Sequence, residues 1–535
     1  MQSDYEYIVV GGGSGGVAMA ARLSQAGKRT LLIEAGRRRG NWLDSWMVDM
    51  PAGYPYAFTN KNFNWAYEGE PEPHLGNRKM YQPRGKVLGG SSSINGMGWL
   101  RPNPLDMARW VSEGAKGWSF SEVLPYLKRI ETWEGKPSQL RGMTGPIHAR
   151  TGTDPCPYYG AFIEAGKQAG FGTTEDVNGE VQEGFGAFQM NVDSGIRSST
   201  AHGYLRDVAD HGYLTIVSQA HASRILLTGT RATGVEYLAG GATHQAHAAS
   251  EVILACGAFN SPQVLMLSGI GPAVELQSHG IKTVVDLPGV GQGLQDHPLI
   301  YAKYEATKAV SPIKYERLDR KIAVGLQWLL TRTGPGATNY METIAMIRSD
   351  PSVKHPDIEF QYYPLVIDHD AGYVKGIHGW TNCIGPVRVD SRGWVKLRSA
   401  DPLAPPRIMT NLLATDSDMT RMRRSIEINR DVMNQPAYRE FLKGEIDPSP
   451  KVTTGQEMRD YIRANTNGDF HPVGTCKMGE GDMAVVDNAL RVRGVQNLRI
   501  ADASIMPSIV SANTNVTSIM IGDRGADIVL GKCQV

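Results

Sequence analysis

The chain has 535 residues, enough for about three to four domains at roughly 150 residues each, which excludes a mini-protein or a disulfide-stapled scaffold. Its 55 Lys and Arg against 54 Asp and Glu leave a net charge of +1, so no global field exists to hold nucleic acid or an anionic surface. A hydrophobic content of 41% with 20% charged residues excludes wholesale disorder.

Cys156, Cys256, Cys383, Cys476 and Cys533 stand far apart with no CxxC spacing. That excludes a zinc ribbon and points to a reducing compartment. Met1-Gln2-Ser3-Asp4 lacks the basic start of a secretory leader, and no window of about 18 apolar residues offers a spanning helix. The expectation is a cytoplasmic protein. The unusual figure is 61 glycines, about 11% against a norm of roughly 7%, and they gather in four places.

The first cluster opens the chain. Tyr5-Glu6-Tyr7-Ile8-Val9-Val10 is a short apolar run of buried-strand type, followed by Gly11-Gly12-Gly13-Ser14-Gly15-Gly16 and the Ala-rich Val17-Ala18-Met19-Ala20-Ala21-Arg22-Leu23, which predicts a helix ending near Gly27. Thr30-Leu31-Leu32-Ile33-Glu34 then reads as a second strand ending in an acid. In a strand–GxGxxG–helix–strand–acid unit, Gly11 allows the tight turn, Gly13 admits a pyrophosphate against the backbone, and Gly16 lets helix and strand pack closely. The helix N-terminus offers amide donors, and Glu34 accepts from ribose hydroxyls. This unit by itself serves FAD and NAD alike.

The second cluster, Arg84-Gly85-Lys86-Val87-Leu88-Gly89-Gly90-Ser91-Ser92-Ser93-Ile94-Asn95-Gly96, is a small-residue loop able to lie against a flat ring. The third follows the strand-like Glu251-Val252-Ile253-Leu254-Ala255 and runs from Gly257-Ala258-Phe259-Asn260-Ser261-Pro262 to Gly271. The fourth comprises His471-Pro472-Val473-Gly474-Thr475-Cys476, Ala501-Asp502-Ala503-Ser504 and Asn513-Thr514-Asn515-Val516-Thr517. HExxH metal spacing does not occur, the Ser91-Ser92-Ser93 run lacks the GxSxG elbow of hydrolases, and no metal is expected.

In this order the four clusters resemble the glucose–methanol–choline (GMC) oxidoreductases, FAD-dependent alcohol-oxidising flavoenzymes, over nearly the whole chain. Phe63-Asn64-Trp65-Ala66-Tyr67-Glu68 and Gly293-Leu294-Gln295-Asp296-His297 are most similar to the choline dehydrogenase branch. The resemblance implies a doubly wound, Rossmann-like α/β FAD domain (1–42, 81–154, 206–300 and 462–535) and an inserted α+β substrate domain on an antiparallel sheet (155–205 and 301–461), with 43–80 as a lid. It places Gly11, Gly13, Ser14, Gly15, Gly16, Glu34 and Ala35 on the adenosine and pyrophosphate, Gly90, Asn95, Gly96 and Met97 along the flavin, and Ala222 at adenine. Asp502 and Ala503 return to the pyrophosphate and ribityl chain, and Thr517 approaches the flavin. Ile94 stands where some members carry a flavin-linked histidine, so the FAD is expected to be non-covalent.

For activity the resemblance implies oxidation of a primary alcohol to an aldehyde, with His471 as general base and Asn515 on the substrate oxygen. Asn513 is the rival for that second role, read as supporting it, and His297 is read as structural. Glu342, Trp65 and Tyr362 are candidate substrate contacts, the first as a partner for a cationic head and the second as a cation–π face. A quinone-like acceptor reached by peripheral contact with an inner membrane is expected. An oxygen-using oxidase, a sugar, polyether or aryl-alcohol dehydrogenase, and an NAD-dependent dehydrogenase are the alternatives.

Overall fold

The computed structural model describes residues 5–40, 43–206, 208, 212–367, 376–533 and 535. Met1-Gln2-Ser3-Asp4 and the first domain boundary at 42 lie outside these. Tyr5–Val10 (β1) has Ile8, Val9 and Val10 shielded on both faces, as a central parallel strand requires. It pairs in parallel with Thr30–Glu34 (β2), Tyr7 opposite Thr30, and on its other side with Ala242–Leu254, Val10 opposite Leu254. Leu214–Ser218 extends this sheet beyond β2, and Leu498–Ile500 closes it beyond Leu254, both in parallel. The N-terminal half of Ala242–Leu254 leaves the parallel layer and pairs antiparallel with Arg231–Ala239, which in turn pairs with Ala220–Thr228.

Ser14–Gln25 (α1) crosses the C-terminal helix Thr514–Val529 at a small-residue contact. A Cβ on Gly522 would lie 2.1 Å from the Gly15 carbonyl oxygen, and one on Gly16 would lie 1.9 Å from that of Gly11. These close approaches hold the helix N-terminus against the strand ends, where a dinucleotide binds.

The second sheet is antiparallel, in the order Leu442–Asp447, Pro298–Ala306, Gly379–Pro386, Ile358–Tyr363, Thr343–Ile347, Gly184–Ala187, with Asn467–Gly468 also on Pro298–Ala306. One face carries Ile300, Phe360, Tyr362, Trp380 and Ile384 into a core with helices Pro157–Gln168, Asp416–Met433 and Gly455–Asn465. The other presents Leu299, Tyr301, Gln361, Tyr363 and Cys383 to a cavity shared with the first sheet. Alternation along a strand produces this division.

The boundary expected at 300 falls inside Pro298–Ala306, and Asn467–Gly468, expected in the nucleotide fold, pairs with the substrate sheet. Among the described residues no helix is long and apolar enough to cross a membrane.

Candidate active site

A cavity of about 560 Å³ runs between the sheets from β2 to the antiparallel strands, a size suited to a small-molecule or cofactor site. At one end both Glu34 oxygens accept backbone N–H bonds, from Gly12 at 2.8 Å and from Gly36 at 2.7 Å. Burial pushes the Glu34 carboxyl up to about 7 against these two amides. Gly11 has φ +103°, and a Cβ there would meet the Ala255 oxygen at 2.5 Å; a side chain is excluded on both counts.

Gly90 of the second cluster folds down on Gly13, where an added Cβ would stand 2.6 Å from its Cα. Asp502 joins the third and fourth clusters. Its Oδ2 accepts from Gly257 N at 2.9 Å and Ser261 Oγ at 2.5 Å, while Oδ1 accepts from Ser504 N at 2.8 Å.

Gly11, Gly13, Ser14, Gly15, Glu34, Ala35, Gly90, Asn95, Gly96, Met97, Ala222, Asp502 and Ala503 all line this cavity. Gly16 packs behind it. Thr517 does too: the C-terminal helix turns Thr514, Asn515 and Ser518 to the cavity and buries Thr517 with its Oγ1 unbonded.

At the far end His471 follows Phe470, whose φ of +61° is a left-handed conformation uncommon outside glycine. The His471 N–H donates to Asp296 Oδ1 at 2.6 Å. The ring lies among three partners: Nδ1 is 3.1 Å from His297 Nδ1 and 3.3 Å from Asp469 Oδ2, and Nε2 is 3.2 Å from Asn513 Nδ2. An amide N–H facing Nε2 needs a lone pair there, which puts the His471 proton on Nδ1, donated toward His297. Burial, then His297 and the Arg84 cation, hold His471 well below 6.5. It is a neutral imidazole at neutral pH.

Burial likewise brings His297 down to about 4 and raises Asp296 to about 7. Asp469 rises well above its ordinary range through burial and the neighbouring Glu359 and Asp296. His297, Asp469 and His471 offer ligand atoms within 4.8 Å of one another, and the contacts just described link these groups directly.

The structure places four of the candidate residues as follows. Asn515 Oδ1 accepts from Ser14 Oγ at 2.7 Å, which turns it to the α1 end, and Asn513 takes the place beside His471. Glu342 is outside the cavity wall, its carboxylate held by Thr338 Oγ1 at 2.6 Å and Asp154 N at 2.7 Å. Tyr362 lies on the core face against Phe162 and Tyr159, and its neighbour Tyr363 faces the cavity. Trp65 lines the wall beside Ala222, stacked on Tyr67 and edge-on to His221, at the adenosine end. His297, Arg84 and Asp469 were missed as site residues. The Asp296-His297 pair in its glycine-rich turn was the available signal.

The GMC oxidoreductase family models match residues 5–299 and 389–522. The chain is a GMC oxidoreductase. It is 42% identical to the "oxygen-dependent choline dehydrogenase" of Brucella ovis over 98% of this chain and 96% of that one. It is also 42% identical to the human "choline dehydrogenase, mitochondrial" over 99% and 90%. Among solved structures it resembles pyridoxine 4-oxidase from Mesorbium loti (TM-score 0.88, 28% identity, 98% of each chain). It also resembles an Aspergillus oryzae formate oxidase variant (TM-score 0.91, 26% identity, 99% of each chain).

This GMC oxidoreductase is an FAD-dependent enzyme that oxidises an alcohol. The cavity fits the cofactor. Its glycines leave the backbone bare where a Cβ would collide, and the α1 N-terminus and Glu34 stand at one end with the imidazole at the other.

Proposed function

We propose that this enzyme oxidises a primary alcohol to an aldehyde, with His471 as the general base. The observation that carries this is the buried His471 ring lining the cavity, with Nε2 3.2 Å from Asn513 Nδ2 and Nδ1 3.1 Å from His297 Nδ1. Bound FAD supplies the two-electron acceptor for the hydride of the alcohol carbon. His471 Nε2 takes the hydroxyl proton, and Asn513 Nδ2, within reach of the same point, donates to the oxygen as charge develops there.

Asp296 fixes the ring's backbone, and His297 accepts from Nδ1 and so retains the reactive tautomer. Tyr54, Tyr301 and Tyr363 line the substrate end, where they exclude water and present aromatic faces. Such faces suit a quaternary ammonium, and with the choline dehydrogenase relatives they make choline the first alcohol to test. Aryl alcohols are the second reading.

Ile94 lines the flavin loop and offers no nucleophile, which supports a non-covalent cofactor. Residues 43–80 act as a lid, since Tyr54, Pro55, Phe58 and Thr59 wall the cavity. Electrons then pass to a quinone-class acceptor at a membrane surface from the cytoplasm; oxygen, named for the Brucella relative, is the alternative.

Anaerobic bleaching of the flavin by a panel of alcohols tests the function. Choline is expected to bleach it, and His471→Ala to slow bleaching about 10²–10⁴-fold with FAD retained. Bleaching at the wild-type rate would remove His471 from the chemistry. Acid precipitation is expected to release the flavin. Rapid reoxidation of reduced enzyme by air-saturated buffer with stoichiometric peroxide would make the enzyme an oxidase.

A further inference from the structure

The helix Leu318–Thr331 is built the wrong way round for a globular protein. Of its fourteen residues only Trp328 is buried, its Nε1 donating to Gly195 O at 2.7 Å. Leu318 and Leu330 are 74% and 80% exposed, and Ile322, Leu326 and Leu329 are each more than half exposed. At about 100° per residue these five aliphatic side chains fall within an arc of about 120°, roughly opposite Trp328. The apolar stripe that a surface helix ordinarily turns inward therefore faces solvent along some 18 Å, at about 1.5 Å per residue.

The segment that carries the stripe has a cationic excess, with Arg317, Arg320 and Lys321 toward the Trp328 side of the helix and Asp319 at the stripe itself. Residues 308–332 hold six cationic side chains, Lys308, Lys314, Arg317, Arg320, Lys321 and Arg332; Lys308 pairs with Glu440, Arg317 with Asp319 and Lys321 with Glu316, which leaves an excess of three cations in a chain whose net charge is only +1. An exposed apolar face on a segment of net positive charge is the pattern of a helix that lies in the headgroup layer of an anionic bilayer. Five such side chains present on the order of 500 Å² of apolar surface, the scale of an interaction patch, and less than the roughly 800 Å² per partner of a stable dimer.

The helix also lies at the cavity's cover. Lys321 Nζ is 5.3 Å from the centre of the Tyr56 ring, within Tyr54–Thr59, the short helix that walls the cavity.

We infer that Leu318–Thr331 docks this enzyme on an anionic lipid surface, with the cover of the catalytic cavity beside the bilayer. The inference rests on the reading that electrons leave to a membrane acceptor. Its test separates the two, because lipid binding is scored by co-sedimentation and catalysis by turnover with a soluble dye.

Holoenzyme is mixed with phosphatidylcholine vesicles with or without phosphatidylglycerol at about one lipid in three. Wild type is expected to partition about tenfold more strongly to the anionic vesicles, less so in high salt. The triple variant Leu326→Gln, Leu329→Gln, Leu330→Gln should lose about tenfold of that binding, as should Arg317→Glu with Arg320→Glu. Both variants should keep flavin and wild-type dye turnover. Absence of wild-type binding to either vesicle overturns the inference, as does full binding by the triple variant. A concentration-dependent dimer abolished by the same substitutions, without lipid binding, overturns it in favour of a second copy of the chain.

Discussion

Two asparagines two residues apart divide the labour at the start of the C-terminal helix. Asn513 is the residue before its first turn and meets His471; Asn515 is the second residue of that turn and meets Ser14 of α1. Asn513→Ala is therefore expected to lower kcat/KM by about 10²–10³, some 3–4 kcal/mol, as loss of a donor to a developing oxyanion does. Asn515→Ala should weaken FAD binding more than turnover. Kinetics at saturating FAD separate the two, and a larger kcat/KM loss in the Asn515 variant would reverse the assignment.

The His471 shift adds a pH prediction. Burial disfavours the imidazolium, so the base form survives below pH 6.5 and is lost only as pH falls further. The acid limb of the kcat/KM profile should lie below 6.5; a limb above it would contradict a buried neutral base. The resemblance singled out His471, and the structure sets it in the cavity wall. Choosing between the two asparagines was not legible, because the choice depends on where the helix begins, and a boundary read from sequence is uncertain by more than two residues.

At the scale of elements the glycine code was legible where it meets a strand end and silent elsewhere. Gly11, Gly13 and Gly16 announce a close approach through their spacing. Gly522, in the middle of the C-terminal helix, gives no local sign that it touches Gly15. Gly522→Ala offers a methyl 2.1 Å from a backbone oxygen, and the helices must part to admit it. Overpacking of this kind costs about 1–3 kcal/mol. Urea midpoints should fall accordingly and FAD should dissociate more readily, since Ser14 and Asn515 ride on the displaced helices. An unchanged midpoint would show that the crossing is soft.

The antiparallel sheet teaches a parallel lesson. The resemblance marked 301–461 as part of the substrate side, yet Tyr362 and Tyr363 are indistinguishable without the strand register, and a one-residue step sends a side chain to the opposite face.

Across the whole molecule the cavity is the seam, walled by β2 and α1 on one side and by strands 298–306, 358–363 and 379–386 on the other. A ligand that spans the seam stabilises both sheets at once, because binding only the native state adds RT ln(1 + [L]/Kd), about 2.7 kcal/mol at a hundredfold excess over Kd. For a chain of 535 residues with an unfolding entropy of about 2.1 cal/mol/K per residue, that free energy raises Tm by only about 2–3 °C.

Hydrogen exchange is the sharper measurement. Amides in Tyr5–Val10 and in Ile358–Tyr363 belong to different sheets and have no hydrogen bond between them, so independent domains would respond to the cofactor independently. FAD is expected to slow exchange in both segments by a similar factor, rising toward about a hundredfold where opening requires release of the ligand. Protection confined to Tyr5–Val10 would mean that the cofactor binds the nucleotide fold alone, leaving His471 and the antiparallel sheet to assemble around it only when substrate arrives.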